Sequence, residues 1–464
     1  MIIESLVVVL AIAIAGVLIM KKVNATIALF MGGFVILMIA PLLGHTGTGK
    51  YEVKDAGNVF LNQFGYITEI FAKTVSGVGL IIMVLFGFSA YMTHIGANAK
   101  VVEFLTRPLL RMKMKYLLVP LTFWVGNLMS LAVPSASSLA VLLMATLFPA
   151  LVGAGLTPLT VAAIIATTAT IIPTPLGADN VIASERLGIP LDEYVFSMHA
   201  SVSIPTLIFI GVVHYFWQKY MDAKMVTSAT NTGSSVILTD EKSDEHAGTP
   251  MWYAIFPMLP LLFILIPFGL GFVMKVGITA NLIPVTLISI LLALITEMIR
   301  KRSLIDPLND LMVFFKGMGT GFGVVVALVI AANVLVEGIV QLGIIDALSH
   351  SISQLDGAAW ILFLAFSGIM LLLALLTGGI APFYSLVEIA PKVASGVGIN
   401  GALLTLPLQF VGNLARACSP VAAVVLIVCS TVKESPARLI ARTSVPMIAG
   451  IVMSMILTWI IVGP

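Results

Sequence analysis

Apolar runs about as long as a membrane-spanning helix alternate with short polar connections along almost the whole chain. A spanning helix takes about 20 predominantly apolar residues. Ten runs of that kind fall at about 2–20, 23–43, 74–96, 157–183, 198–219, 251–270, 278–298, 321–345, 400–432 and 443–462. Two further stretches, about 116–155 and 357–397, are too long for one crossing. The runs are continuous, without the two-residue alternation of an outer-membrane barrel. The pattern predicts an all-α polytopic membrane protein with about ten transmembrane helices.

Basic residues orient these crossings, because Lys and Arg concentrate in cytoplasmic loops. The densest cluster is Lys100, Arg107, Arg111, Lys113 and Lys115. Placing it in the cytoplasm together with Lys21, Lys22, Arg300, Lys301, Arg302, Lys433, Arg438 and Arg442 puts both termini outside. The mixed-charge segment from His45 to Lys73 then lies outside. The two long stretches must each enter and leave on one side, so they are expected to be re-entrant helical hairpins of opposite orientation. An amphipathic interfacial segment is expected near 303–318, where Asp306, Asn309, Asp310 and Lys316 interrupt apolar residues. Ile2–Met20 lacks basic residues before it and is expected to be the first spanning helix rather than a cleaved leader.

One polar stretch, 222–250, is rich in Ser, Thr, Asp, Glu and Lys and reads as a cytoplasmic linker. It separates residues 1–221 from 251–464, and the two parts share a pattern. Pro149, Pro175, Pro190 and Pro205 recur in order as Pro391, Pro420, Pro436 and Pro446. Thr174-Pro175 matches Ser419-Pro420, and Ser203-Ile204-Pro205 matches Ser444-Val445-Pro446. With hairpins of opposite orientation at matching positions, the expected organisation is an inverted repeat, the sequence mark of a secondary transporter.

Composition agrees and removes other classes. Of 464 residues 59% are hydrophobic and only 10% charged, with a formal net charge of +2. Soluble domains carry roughly a quarter charged residues, so lipid is the expected solvent, and nothing points to nucleic acid as a partner. Cys418 and Cys429 stand roughly 16 Å apart if their stretch is helical, too far for a disulfide. No nucleotide-binding loop, zinc-protease motif or nucleophile elbow occurs, so the chain is not expected to be an enzyme or to hold a resident cofactor.

Candidate chemistry lies where the helices break. Backbone freed from helical bonding within a membrane is tolerated only inside protein or against a wet cavity. The hairpin tips are 133–138 and 376–382, and each is followed by a crossing with its own break, 173–180 and 412–420. Hydroxyls, free backbone N–H groups and helix N-termini meeting there would suit an anion. Arg416 stands near the centre of an apolar run, where a charge costs about 2.5–3.5 kcal/mol on insertion scales. It is expected to hold a carboxylate through paired hydrogen bonds, or else to form a structural ion pair with Asp179. Ser135, Ser137, Ser138, Thr377, Gly378, Gly379, Asn413 and Ser419 complete the expected substrate site. Thr174, Asp179 and Asn180 are candidates for a coupling Na+ or H+.

Other polar groups read more plainly. Asn333, Glu337 and Gln341 form one stripe and predict a helix–helix interface in preference to a proton path. Glu388 and Lys392 read as an ion pair, and His94 and His214 as interfacial residues.

Several long words resemble the DcuC family of anaerobic C4-dicarboxylate carriers. They are 87–98, 128–133 with 141–149, Ala381-Pro382-Phe383-Tyr384, Asn413-Leu414 through Arg416 to Ser419-Pro420, and 442–446. The resemblance is collinear over nearly the whole chain and weakest at the two hairpin tips. It implies an inner-membrane carrier of succinate, fumarate or malate, working by exchange or with a cation. It also implies a scaffold domain that forms a homodimer and a mobile transport domain that moves like an elevator. The readings set against it are a carrier of another organic anion (a monocarboxylate or an acidic amino acid), a passive channel, and an intramembrane serine hydrolase.

Overall fold

The computed structural model describes residues 2–21, 23–45, 51, 53–109, 115–228, 248–274, 281–345, 347 and 357–463. These residues form helices and connections and contain no strand. Ten helical stretches among them are long and apolar enough to cross a membrane. The chain opens as expected with helices Ile2–Met20 and Ala25–Ile39, the latter capped by Asn24, whose side chain accepts from the Thr26 N–H. Residues 229–247, most of the expected linker, lie outside the described residues, as do Lys22, Arg111 and Lys113. Asp222 does not begin a linker, because the helix Ala200–Ser228 runs on through it.

Two expected boundaries move. The run expected at 74–96 belongs to a continuous helical stretch, Val59–His94. Asn58 starts it, accepting from the N–H groups of Phe60 and Leu61. One face, with Gln63, Tyr66, Ile70 and Thr74, is buried. Hydropathy alone misses this segment because Asn62, Gln63, Thr68, Glu69 and Lys73 interrupt its apolar residues, although the buried positions follow a helical repeat. A π-helical turn at Val75–Gly79, kinked at Gly77, joins it to Leu80–His94.

The segment near 303–318 is helical and continuous with the crossing that follows it. Ile305–Asp310 leads into Met312–Gly321, a second π-helical turn at Phe322–Val326, and Ala327–Gln341. Met312–Gly321 packs on Leu80–His94 at backbone contact distance. A Cβ on Gly317 would stand 2.8 Å from both the Ala90 Cβ and the Gly87 Cα, and one on Gly87 would meet the Phe314 ring at 2.6 Å. Ala327–Gln341 packs as closely on Ala25–Ile39, where a Cβ on Gly33 would fall 2.4 Å from the Leu335 backbone nitrogen. Such contacts replace the hydrophobic drive that lipid removes between helices. The Asn333, Glu337 and Gln341 stripe is buried in this packing. Asn333 donates to Thr74 Oγ1 at 3.5 Å, and Gln341 to Glu337 Oε1 at 3.2 Å.

The remaining elements come in two series of the same order. The first is Leu118–Met129, a non-helical tip, Ala136–Gly153, Pro158–Ala166, a break, Ala178–Leu187, and Ala200–Ser228. The second is Ala358–Thr377, a tip, Phe383–Leu386 with Ala390–Val397, Gly401–Ala415, a break, Ala423–Val432, and Pro436–Val462. Matching caps start matching helices: Thr157 accepts from the Thr160 N–H, and Asn400 from the Ala402 N–H. Ala136–Gly153 and Ala358–Thr377 are each of spanning length by themselves.

The long closing helices of the two series share a buried ion pair. Arg442 is fully buried and donates to Asp222 Oδ1 at 2.7 Å, to Thr160 at 2.7 Å and to Gln218 Oε1 at 3.1 Å. Thr157, Thr160 and Tyr116 also donate to the Asp222 carboxylate. Arg442 therefore belongs to the protein interior and not to a cytoplasmic basic cluster. His214 is no interfacial residue either. It is buried in the same layer, 3.1 Å from Thr167 Oγ1 and packed on Phe123. His94 does sit partly exposed at a helix end, 3.2 Å from Asp310. Glu388 gains a partner from the other series, accepting from Arg186 Nε at 2.6 Å. Both cysteines are free thiols.

Two outcomes follow for stability in detergent. Gly317→Leu should cost about 1–3 kcal/mol through overpacking, lowering the unfolding temperature in a fluorescence-detected size-exclusion assay. Gly319→Leu, with nothing within 4 Å of its Cβ, should not. Arg442→Met should cost about 3–5 kcal/mol by stranding Asp222, and Asp222→Leu in the same chain should recover most of the loss.

Candidate functional site

The two tips and two breaks converge on one cavity of about 750 Å³, within the usual range of small-molecule sites. Its far wall comes from the long paired helices, with Phe86, Ser89 and Thr93 on one and Gly317, Thr320 and Val324 on the other. The charged side chains among its lining residues are Arg416 and Asp179.

The first break, 167–177, is held open by its own hydrogen bonds. Asn127 Oδ1 accepts from both the backbone N–H and the hydroxyl of Thr170, at 3.1 and 3.0 Å. Ala169 has a positive φ of 53°, an uncommon conformation for a residue with a Cβ. It turns its carbonyl toward the other series, where the carbonyl accepts from Arg416 Nη2 at 2.6 Å. Thr174 closes the segment: its hydroxyl accepts from the Leu176 N–H, and its carbonyl from Asn180 Nδ2 at 2.8 Å.

Asp179 stands in the first turn of Ala178–Leu187, where the positive end of the helix dipole favours a carboxylate. Its Oδ2 accepts from Asn413 Nδ2 at 2.8 Å and from Gln409 Nε2 at 3.0 Å. Gln409 also donates to Asn180 Oδ1 at 2.6 Å and accepts from the Tyr194 hydroxyl. Its amide therefore has a fixed orientation, with the oxygen toward Tyr194 and the nitrogen toward the acid. Gln409, Asn413 and Arg416 are spaced i, i+4, i+7 and so share one helix face. That spacing is the sequence signal for Gln409, which holds Asp179 without lining the cavity itself.

Arg416 sits at the end of Gly401–Ala415, where the chain tightens into a 3₁₀ turn, Arg416–Cys418. The expected ion pair with Asp179 is not formed: no salt bridge joins them among the described residues, and Asp179 is held by two amides instead. Beyond the Ala169 carbonyl, Arg416 Nε is buried with no hydrogen-bond partner. A buried, unmatched donor on a guanidinium is costly, so Arg416 is left short of a partner beside the cavity.

The tips contribute unequally. Ser135, Ser137 and Ser138 all line the cavity. Ser135 caps Ala136–Gly153, accepting from the Ser138 N–H at 3.3 Å and from its hydroxyl at 3.0 Å. Gly378 also lines it, with φ of 85° and so little clearance that a Cβ would lie 2.9 Å from the Ala422 Cα. Three expected contacts are displaced. Thr377 turns its hydroxyl back to the Leu373 carbonyl at 2.8 Å, as threonines in membrane helices commonly do. Ser419 is fully buried and donates to the Leu375 carbonyl at 2.7 Å. Gly379 is not on the wall but lies beside the Arg416 stem, where a Cβ would stand 3.6 Å from Cγ and Cδ. Thr174, Asp179, Asn180, Asn413 and Arg416 line the cavity as expected. Ser89, Thr93, Thr320 and Tyr384 line it too, and only the packing of distant helices could reveal the first three.

The family and the fold are independently recognisable. A profile of the DcuC family, C4-dicarboxylate anaerobic carriers, matches residues 3–463. The anaerobic C4-dicarboxylate transporter DcuC of Escherichia coli K12 is 37% identical over 445 residues, covering 96% of this chain and 94% of its own. The probable anaerobic C4-dicarboxylate transporter DcuC of Vibrio cholerae is 35% identical over 450 residues, covering 96% and 95%. Among solved structures, Neisseria gonorrhoeae MtrF, reported as illuminating a class of antimetabolite efflux pumps, superposes with a TM-score of 0.63 at 14% identity, covering 95% of each chain. The Alcanivorax borkumensis YdaH transporter gives 0.61 at 14%, covering 94% of this chain and 98% of its own. At that identity the two structures speak for the fold alone. The chain is thus a multi-pass membrane protein and a transporter rather than an enzyme, and it belongs to the DcuC family of anaerobic C4-dicarboxylate carriers.

Proposed function

We propose that this chain carries C4-dicarboxylates such as succinate, fumarate or malate across a bacterial inner membrane, by exchange or together with Na+ or H+. The observation that carries the reading is Arg416, a guanidinium with an unmatched buried donor on the wall of a cavity built from four helix interruptions. A planar cation with fixed donors suits a carboxylate. The Ser135-capped N-terminus of Ala136–Gly153 brings hydroxyls and a positive dipole end to the same space.

The two series of elements, with their matching tips and breaks, support an inverted repeat in which each tip closes a re-entrant hairpin, one from either side. In this reading the broken helices form a mobile transport domain. The long helices paired through Gly87 and Gly317 belong to a scaffold that dimerises. The cavity would then lie between the two, and sliding the first against the second would expose it alternately, as in an elevator. Both termini lie outside, and the linker that follows Ser228 is cytoplasmic.

Asp179 is the group we assign to coupling. It lies on the cavity wall with its charge unmatched by any cation in direct contact, so a proton or Na+ entering with the dianion would offset the added charge. One observation favours a second reading: a carboxylate beside Arg416 could also hold an ammonium group, which would suit an acidic amino acid.

Proteoliposomes preloaded with unlabelled succinate should take up labelled succinate with saturation. Arg416→Ala should lower this counterflow at least a hundredfold, the scale expected when a charge-assisted hydrogen bond of about 1.5–3 kcal/mol is lost and a buried carboxylate is left unpaired. Silence from folded wild-type protein would mean that the cavity takes another anion, and competition by aspartate against its des-amino analogue would identify the second reading. Asp179→Asn should keep exchange, which needs no net ion movement, while abolishing uptake driven by a Na+ or proton gradient. Loss of both activities together would remove Asp179 from coupling.

A further inference from the structure

The phenol of Tyr384 has no role in the site described so far, yet its surroundings are unusual. Tyr384 lies on the short helix Phe383–Leu386, directly after the second tip. Only 7% of its surface is exposed, and it lines the cavity. Its hydroxyl has no hydrogen-bond partner among the described residues. Of the other buried tyrosines, Tyr194 reaches Gln409 and Tyr253 reaches Glu297, while Tyr91 is unmatched but lies away from the cavity. The Asp179 carboxylate and the Arg416 guanidinium line the same cavity as this phenol. The ring needs no help from the hydroxyl to stay in place, since it packs edge-on against Phe383 at 5.7 Å.

The second tip sets this placement. Gly379 lies beside the stem of Arg416, so the chain that carries Tyr384 starts next to that side chain. The cation has already given one nitrogen to the Ala169 carbonyl. A carboxylate on its remaining face would still have lone pairs to satisfy, and the nearby Asp179 would repel it. A neutral O–H donor lining the same cavity answers each need, because it adds a hydrogen bond without cancelling the charge of Asp179.

We propose that Tyr384 is a specificity-determining residue of the cavity, whose phenol donates to the same substrate carboxylate that Arg416 holds. This rests on the reading of the cavity as an organic-anion site. The contact is made in the bound state, so its loss should appear as weaker binding and leave the transport step intact.

The test is succinate counterflow by purified wild type and Tyr384→Phe, with monomethyl succinate as a competitor that keeps one free carboxylate. Tyr384→Phe removes a single oxygen from a packed ring, and a monodisperse size-exclusion peak confirms that it folds. The half-saturating succinate concentration should rise about tenfold to a hundredfold, the loss expected for a hydrogen bond to a charged group. The maximal exchange rate should be retained, and the inhibition constant of monomethyl succinate should rise by the same factor. Tyr384→His, which restores an N–H donor on a ring, should recover part of the affinity. An unchanged half-saturating concentration, or a fall in maximal rate alone, would overturn the proposal. A rise for succinate with none for its monoester would place the phenol on the other carboxylate and overturn it as stated. Wild type that exchanges no organic anion would remove the underlying reading, and this inference with it.

Discussion

A guanidinium from one broken helix held by a backbone carbonyl from another is the contact on which the site depends. Within a membrane both partners are liabilities when alone: a cation far from water, and a carbonyl released from its helix. Joined across Arg416 and Ala169, they fix the two breaks against each other. The same bond leaves Arg416 short of partners, with Nε buried and unmatched. Asp179 is kept available in the same way, because amides from Gln409 and Asn413 hold its carboxylate where a cation would have neutralised it. The cavity keeps its two charges apart and usable because each is tethered by neutral groups.

Around that centre the packing follows two different rules. Where helices run unbroken and in pairs, small residues let backbones touch, as Gly87 meets Gly317 and Gly33 meets Leu335. These contacts are shape-driven and carry no charge. Where helices are interrupted, the interior is polar and networked. Asp222 and Arg442 tie the long closing helices to Pro158–Ala166, and Thr167 at the start of the first break touches His214 in the same layer. The cavity lies along the seam between these regions, with one wall from close-packed helices and the other rich in hydrogen bonds. A seam between two differently constructed bodies is a natural place for relative movement, which is why the alternating-access reading is attractive for this fold.

Much of this was legible in the residues. Continuous apolar runs define a membrane protein because each must bury its backbone polar groups in its own helix. Of the repeated prolines, Pro175 and Pro420, in the words Thr174-Pro175 and Ser419-Pro420, fall at the interruptions, whereas Pro149, Pro205 and Pro446 lie inside helices. An arginine in mid-run marked the site because its cost there is hard to offset without a purpose. Hydropathy was a poorer guide where polar residues are scattered along a helix, as in 59–74, and where a charged residue is buried, as with Arg442. In both cases the averaged signal resembles a loop.

What the sequence by itself determined is local: which segments are helical in lipid, where they break, and which polar side chains the breaks carry. Those properties depend on residues a few positions apart and on a solvent that leaves backbone groups no alternative. Tertiary structure alone decided who pairs with whom. Arg416 reaches Ala169, 247 residues away, and not Asp179. Thr377 and Ser419 spend their hydroxyls on nearby carbonyls while Tyr384 keeps its own uncommitted. Serine and threonine are locally alike whether they turn inward or face a cavity, and a guanidinium can satisfy itself on a carbonyl or a carboxylate. The choice is made by which helices arrive within about 3 Å of each other, the reach of a hydrogen bond, and no local pattern encodes that distance.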